Sequence, residues 1–328
     1  MWKYVVKRIL YMIFVFFLMS FVLFFLYNKI PGDPARSQLE PLKDTLEPEE
    51  YEYRYEKLRK EMGLDDPIYI RYGKWMGGIL TGEFGESFIY RRPVLDVVKT
   101  PLKNTIFINI FAIILALGIT IPLGIKTAVK RNSTFDKVVQ VLTIIGYSLP
   151  VFIICLLFIY FFAVILGWFP VSGMSTPNFQ GTPMEAFLDR IWHMVLPLGV
   201  MTIGSLGGMT RYVRAAMTDA LNMDYVRTAR AKGLKERVVI YSHAWRNALL
   251  PVVTLVIGWI LSVFSGSLVV ESMFGWHGMG KFYIDALNNQ DYNVALAIQM
   301  FYIVISLVGY LLTDLSYGIV DPRVRVNE

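Results

Sequence analysis

One stretch of this sequence comes close to a phosphate-binding loop. Residues 275–282, GWHGMGKF, place two glycines and Lys281 at the spacing of the motif G-x-x-x-x-G-K-[ST]. Phe282 stands where that motif needs a hydroxyl to bind magnesium, and no strand-like run precedes the loop. We therefore predict a glycine-rich turn here and no nucleotide site.

The other residues able to do chemistry are scattered. His193, His243 and His277 have no cysteine or carboxylate at the spacing of metal ligands, so each is interpreted as a structural histidine. Cys155 is the only cysteine and lies in an apolar run, which indicates a packing thiol and excludes an internal disulfide. Asp314, near the end of another apolar run, is either a functional carboxylate or one member of a salt bridge. No paired carboxylates within the apolar stretches and no Ser–His–Asp set point to catalysis.

A compact basic segment is the least expected feature of the chain. Residues 224–239, DYVRTARAKGLKERVV, lie between long apolar stretches and hold five lysines and arginines. Asp224 is a predicted N-cap, and Gly233 is a predicted C′ residue that ends a short helix. A second helix can then run toward Pro251. The pattern predicts two helices separated by a glycine.

The short helix has the composition of a docking element. Thr228, Ala229 and Ala231 are small enough to let it enter a groove of another protein, where the arginines would meet acidic groups at the rim. The alternative is a solvated basic loop on the inner side of a membrane. Such a loop does not require a glycine-broken helix of small residues, so we predict partner docking.

These features belong to an integral membrane protein. The 328 residues are 55% hydrophobic and 15% aromatic, with a mean hydropathy of +0.48 and a net charge of +6. A membrane-crossing helix needs about 20 apolar residues. Six stretches qualify: 9–27, 105–125, 138–166, 193–209, 249–270 and 294–313. The first is too long for a signal-peptide core and no cleavage site follows it. The fourth is rich in glycine, which predicts close packing inside a bundle.

Single residues near these stretches add two expectations. Pro122, Pro150 and Pro197 lie inside or beside apolar stretches and mark predicted bends. Phe274 and Trp276 flank the turn after the fifth stretch and are predicted to lie at the membrane interface.

The distribution of charged residues predicts the orientation, because short loops on the cytoplasmic side of a membrane are enriched in lysine and arginine. A net charge of +11 falls on the segments 1–8, 126–137, 211–246 and 318–328. A net charge of −5 falls on the segments 31–103, 167–190 and 271–293, which lie on the other side of the six spans. Both termini and the basic segment are therefore predicted in the cytoplasm.

The outer segment 31–103 is too long for a simple loop. Within it, Pro48 and two glutamates begin a predicted helix, and Gly63 ends it after three basic residues. Two tyrosines, Leu58 and Met62 recur at helical spacing and give this helix a face to bury. The segment is either a cap over the outer ends of the spans or a docking surface for an extracytoplasmic partner.

Several motifs together resemble one transporter family. DYVRTARAKGL, followed by HAWRNALLPVVT, resembles the cytoplasmic EAA loop of B-type permeases in the dipeptide, oligopeptide and nickel branch of ABC importers. Similarity to that family extends along nearly the whole chain, in the motifs IPGDP, MGLDDPIYIRYGKW, GEFGESF, WFPVSGM, VESMFGWHGMGKF and DLSYGIVDPRVR. The resemblance implies an all-α type I importer fold with six transmembrane helices and an extracytoplasmic insertion between the first two.

The resemblance also implies a division of the chain. A transmembrane helix at 1–30 precedes the extracytoplasmic segment at 31–103. The transmembrane domain then covers 104–318 with five helices and a cytoplasmic coupling loop at about 211–248, and a cytoplasmic tail covers 319–328.

The same resemblance gives the short basic helix a role as the coupling helix, which inserts into a cleft of a cytoplasmic ATPase subunit. Arg227, Thr228 and Ala229 stand at the positions of the Glu-Ala-Ala that names the loop; the first two depart from the general consensus but fit its peptide-type form. The implied coupling residues are Asp224, Tyr225, Arg227, Thr228, Ala229, Arg230, Ala231, Lys232, Gly233 and Leu234. Gly233→Pro, or a bulky residue at Ala229, is expected to uncouple ATP hydrolysis from uptake.

The implied machine has five parts in a bacterial or archaeal cytoplasmic membrane. This chain and a C-type permease subunit form a heterodimer, two ATPases lie beneath it, and a substrate-binding protein delivers cargo from outside. ATP and magnesium would be used by the ATPases, while this chain would bind no cofactor, nucleotide, metal or nucleic acid and catalyse no reaction.

The sequence leaves alternatives open to a peptide cargo and to the function of an importer permease. Peptides are the commonest cargo of the family, whose members also import nickel chelates, glutathione and oligosaccharides. A stand-alone channel or secondary transporter would need charges within the spans. An intramembrane enzyme would need paired catalytic groups, and a sensor built on the permease fold would not need an intact coupling loop.

Overall fold

The computed structural model describes residues 2–320, with side chains for 5–249, 251–253 and 255–315, and these residues are almost entirely helical. The helices are α1 (Trp2–Tyr27), α2 (Pro34–Leu39), α3 (Pro48–Glu61), α4 (Ile68–Thr81), α5 (Val94–Val129), α6 (Thr134–Ser148), α7 (Val151–Phe158), α8 (Pro183–Leu221), α9 (Asp224–Ala231), α10 (Glu236–Val238), α11 (Arg246–Leu261), α12 (Leu268–Met273), α13 (Met279–Asn288) and α14 (Tyr292–Val320). A π-helical stretch, Ile159–Ile165, extends α7, and another, Val239–Trp245, joins α10 to α11. The predicted tail at 319–328 lies outside the described residues beyond Val320.

The chain forms two compact units. Among the described residues, one unit consists of 2–103 with Phe282–Leu307, and the other of Asn104–Lys281 with 308–320. In the first unit, the surface of α1 is mostly exposed and apolar, which suits a helix surrounded by lipid. Short helices of the outer segment follow it, and the longest of these, α3 and α4, have 14 residues each.

The structure confirms the predicted helix of the outer segment. α3 begins at Pro48 and ends at Glu61, and Gly63 follows in the left-handed conformation, with φ +63. Tyr51 and Tyr55 form its buried face and pack against α2. The helical period of the apolar residues therefore identified the buried side correctly.

Four helices are long and apolar enough to cross a membrane: Val5–Tyr27, Val94–Val129, Pro183–Leu221 and Tyr292–Leu315. Two pairs of helices pass the same test if each is counted as one bent span: Thr134–Ser148 with Val151–Ile165, and Glu236–Leu249 with Pro251–Phe264. The described residues thus contain four continuous candidate spans, or six when each bent pair is one span.

The predicted bend at Pro150, within the apolar stretch 138–166, is confirmed. The two halves of this segment meet at 104°. Leu149 is extended, with ψ 133, because the ring of Pro150 disfavours a helical conformation in the residue before it. Pro122 and Pro197, by contrast, lie inside the helices α5 and α8, which continue past them.

The predicted loop at 211–248 is also mostly helical. α8 continues to Leu221, past the predicted end of the fourth span at 209, and helix resumes at Asp224 and again at Glu236. The predicted close packing of α8 is confirmed at two glycines. A Cβ at Gly199 would lie 2.7 Å from Phe158, and one at Gly207 would lie 2.6 Å from Tyr147.

Candidate functional site

The basic segment forms the short helix α9 and the turn after it. The Thr228 hydroxyl donates a hydrogen bond to the Asp224 carbonyl oxygen at 2.9 Å. The prediction that Asp224 caps the helix is wrong, since the N-cap is Met223, whose side chain makes no capping bond. Asp224 is instead the first helical residue, where its negative charge still complements the helix dipole. Its carboxylate lies 3.6 Å from the guanidinium of Arg227.

Gly233 ends α9 as predicted. Its φ is +75, its N–H donates to the Arg230 carbonyl at 2.9 Å, and the N–H of Leu234 donates to the Ala229 carbonyl at 3.4 Å. These two bonds form a Schellman motif. A Cβ at position 233 would meet nothing within 4 Å, so the backbone conformation, and not a lack of space, favours glycine.

One face of α9 is buried inside the chain. Val226 is fully buried and Ala229 is 4% exposed, and both belong to a core cluster with Met217 of α8 and with Val239 and Ala244 of the next helical segment. The prediction that Ala229 enters a partner's groove is therefore wrong, because this chain already covers its methyl group. A bulky residue at this position would disturb the core of the chain itself.

The opposite face of α9 is open. Nine of the ten predicted docking residues are exposed: Asp224, Tyr225, Arg227, Thr228, Arg230, Ala231, Lys232, Gly233 and Leu234. Arg230 donates two hydrogen bonds to the Glu236 carboxylate, at 2.7 and 3.2 Å, and this contact raises the pKa of the arginine. The pair ties α9 to α10 across the turn, so the exposed face is presented by a structured helix–turn–helix.

A buried ion pair holds together two of the helices beneath this surface. Asp136 of α6 is fully buried and accepts two hydrogen bonds from Arg214 of α8, at 2.7 and 2.8 Å. The side chain of Gln140 and the backbone N–H of Asn132 donate to the same carboxylate, at 2.9 and 3.0 Å. The carboxylate is therefore fully bonded and fixes α6 against α8.

Sequence reasoning missed this pair because its members are 78 residues apart. One signal was present, since Asp136 is the only acid among the basic residues of 126–137 and follows the N-cap Ser133. This signal indicates that Asp136 needs a basic partner. It does not identify which arginine is that partner.

In the glycine-rich turn at 275–282, a carboxyl group of the chain itself accepts the backbone N–H groups. It follows α12 and not a strand, and the buried Glu271 carboxylate accepts the N–H groups of Gly280 at 2.7 Å and Lys281 at 3.1 Å. A Cβ at Gly278 would lie 2.5 Å from that carboxylate, so glycine is required there by close approach. Burial raises the pKa of Glu271 against the effect of these hydrogen bonds. Two N–H groups that could bind a phosphate are therefore already bonded.

The predicted interfacial position of Phe274 and Trp276 is wrong. The two side chains are 2% and 0% exposed, and each belongs to a core cluster of the second unit. The indole N–H of Trp276 donates to the Asn104 carbonyl at 3.0 Å, and the Arg190 guanidinium lies 5.4 Å from the ring centroid. Aromatic residues near a predicted membrane boundary thus serve here as core.

Three further candidate residues from the sequence, His193, Cys155 and Asp314, are buried or half-buried. His193 is buried, with its Nδ1 2.9 Å from the Asp189 carbonyl oxygen. Cys155 is fully buried in an apolar cluster, and Asp314 is half-buried in α14. Within residues 2–320, no three His, Cys, Asp or Glu side chains are grouped as metal ligands would be.

Comparison with known proteins finds relatives along the whole chain. Residues 120–326 match the family described as binding-protein-dependent transport system inner membrane component, and residues 1–109 match the N-terminal part of such components. The chain is 38% identical to the oligopeptide transport system permease protein AppB of Bacillus subtilis, over 98% of this chain and 99% of AppB. It is 33% identical to the glutathione transport system permease protein GsiC of Escherichia coli, over 99% of each chain.

Proposed function

The chain belongs to the family of binding-protein-dependent transport system inner membrane components, and we propose that it forms half of the pathway of a peptide importer. As a family member it is a membrane permease of an ABC importer, which works with a substrate-binding protein and with ATPase subunits. The proposal adds a C-type permease as the partner that completes the pathway. It also assigns all nucleotide binding and ATP hydrolysis to the ATPase subunits.

The open face of α9 is the observation that carries the coupling role. This face combines small residues with exposed arginine and lysine, and it is held by a buried underside and by the Arg230–Glu236 contact. A helix fixed in this way can enter a cleft of an ATPase without first having to order itself, which lowers the entropic cost of docking.

The core under α9 explains how movement would reach the pathway. Val226 and Ala229 share one apolar cluster with Ile125 of α5, Val213 of α8 and Val252 of α11. Because packed cores move as rigid bodies, a displacement of α9 by the ATPases would carry these longer helices with it. ATP binding and release would then rock the permease between outward-open and inward-open states.

The proposed topology counts each bent pair as one span and gives six. The charge of +11 on one set of loops and −5 on the other supports a cytoplasmic position for both termini and for α9. The segment 31–103 then lies outside the membrane, where the binding protein approaches. Peptides are the proposed cargo because AppB is named for oligopeptides, and glutathione, itself a peptide, is the second candidate.

Two alanines of α9 provide a matched test of docking. Ala231→Trp adds a large ring to the exposed face and is expected to reduce ATP-driven peptide uptake at least about tenfold, the effect of losing about 1.4 kcal/mol of docking energy. Its thermal stability should equal that of the wild type. Ala229→Trp places the same ring in the core and is expected to lower stability by about 1–3 kcal/mol.

Both variants are measured in the complete transporter, by peptide uptake and ATP hydrolysis in proteoliposomes and by the melting temperature in detergent. Wild-type uptake by Ala231→Trp would contradict docking through this face. Equal melting temperatures for the two variants would contradict the burial of Ala229.

A further inference from the structure

The first unit contains a cavity of about 520 Å³ that the transport role does not use. Its wall includes Phe24, Tyr27 and Ile30, at and just beyond the outer end of α1, together with Trp75 of α4. The size is that of an ordinary small-molecule site. Aromatic and aliphatic side chains share the wall with charged groups, so the cavity suits an amphipathic ligand.

The charged groups of the wall leave one cation without a counterion. Arg59 pairs with Asp33 at 3.1 Å and with Asp65, which lies outside the wall, at 2.6 Å, and Lys74 pairs with Asp66 at 2.6 Å. Arg71, on α4, also lines the cavity but forms no ion pair with any residue in the described part of the chain. The wall therefore carries a net charge of +1.

Arg71 is half-buried, so leaving its guanidinium without a direct anionic partner costs free energy. Burial lowers the pKa of its guanidinium, the nearby charge of Arg59 lowers it further, and the charge of Asp66 offsets only part of this effect. A partly desolvated cation without a counterion is unfavourable unless a ligand supplies one. A guanidinium prefers planar oxyanions such as carboxylate or phosphate, which it can bind with two parallel hydrogen bonds.

The position of α4 places this cation beside the membrane surface. α4 packs along the outer half of α1, where the Tyr72 hydroxyl is 2.9 Å from the Ser20 hydroxyl and the Phe24 and Trp75 ring centroids are 5.0 Å apart. In the proposed topology, α1 crosses the membrane and its end at Tyr27 faces outside. The cavity at that end therefore lies at the level of the outer headgroups, with acyl chains next to the exposed surface of α1.

We propose that this cavity binds the phosphate of an anionic phospholipid from the outer leaflet, with Arg71 as the residue that selects it. The phosphate supplies the direct ion-pair partner that no described residue gives Arg71. The apolar wall accommodates the glycerol and the first methylenes. A bound lipid would thus fasten the outer segment to the membrane beside α1.

The test counts lipids on the complete transporter by native mass spectrometry, after purification in mild detergent and titration with phosphatidylglycerol. The wild type is expected to retain one phosphatidylglycerol that Arg71→Gln does not, and the apparent affinity of this lipid should fall at least about tenfold in the variant, as for loss of a charge-assisted hydrogen bond. Arg71→Lys should retain it in part. Arg54→Gln is the matched control, because Arg54 is an exposed arginine of α3 outside the cavity.

Arg71→Gln should assemble normally, since it removes no ion pair. If it does not assemble, Ile30→Trp gives an independent test, because it fills the mouth of the cavity from a side chain that is 39% exposed. Equal lipid retention by the wild type and the cavity variant would overturn the proposal. Displacement of the lipid by inorganic phosphate, by a short peptide or by the binding protein would overturn it as well, by assigning the cavity to that ligand.

Discussion

Gly233→Pro is expected to abolish ATP-driven peptide uptake while leaving the transporter assembled in the membrane. Proline fixes φ near −65°, whereas position 233 requires +75, and proline also lacks the N–H that donates to the Arg230 carbonyl. The turn after α9 must therefore rearrange and redirect the exposed face. Uptake and ATP hydrolysis are measured together in proteoliposomes, and hydrolysis should continue while uptake stops.

Gly233→Asn is the matched control for this experiment. Asparagine tolerates the left-handed region, and nothing lies within 4 Å of the Cβ it would add, so it should retain most of the uptake. Gly233→Ala should fall between the two, at a cost of about 1–2 kcal/mol in the turn. Normal uptake by Gly233→Pro would show that the geometry of this turn plays no part in coupling.

Asp136→Ala is expected to cause the largest loss of stability, about 3–5 kcal/mol. The substitution leaves the Arg214 guanidinium, which is 20% exposed, without a carboxylate, and it removes the acceptor for Gln140 and Asn132. The measurement is the melting temperature and the monodisperse yield of the complex in detergent. Transport should fall with the folded fraction, because α6 and α8 would no longer be fixed against each other.

An exposed pair of the same type is the control. Asp66→Ala breaks the contact with Lys74, whose side chain is 69% exposed, and should cost less than about 1 kcal/mol. The double variant Asp136→Leu with Arg214→Met should recover much of the stability, since it leaves no unpaired charge in the interior. Comparable losses for Asp136→Ala and Asp66→Ala would show that the buried pair has no special structural role.

The features that sequence predicted correctly depend on neighbouring residues. The ends of α3 and the turn at Gly233 follow from proline, charge and glycine signals within one or two turns of helix. The break at Pro150 was marked by the proline itself, but its angle of 104° depends on what α7 packs against. α8 extends at both ends beyond the apolar stretch predicted at 193–209, because a helix can continue after its apolar stretch ends.

The features that sequence could not supply depend on distant residues. Ala229 looks like a docking residue by composition, and only the contacts of α9 with α8 and with the segment after α10 show that its side chain points inward. The Glu271 contact likewise shows why residues 275–282 have the glycines of a phosphate loop without its function. Their N–H groups approach a side chain that arrives from the preceding helix.

The most direct test of coupling is a cross-link from position 231 of the assembled transporter. Cys155 is the only native cysteine and is fully buried, so Ala231→Cys introduces one reactive thiol on the exposed face of α9. A short cross-linker with a maleimide at one end and a photoreactive benzophenone at the other, which inserts into nearby C–H bonds, should join this thiol to an ATPase subunit, with a yield that changes when ATP binds. A chain that remains unlinked, or links only to another permease subunit, would contradict the docking of α9 on the ATPase.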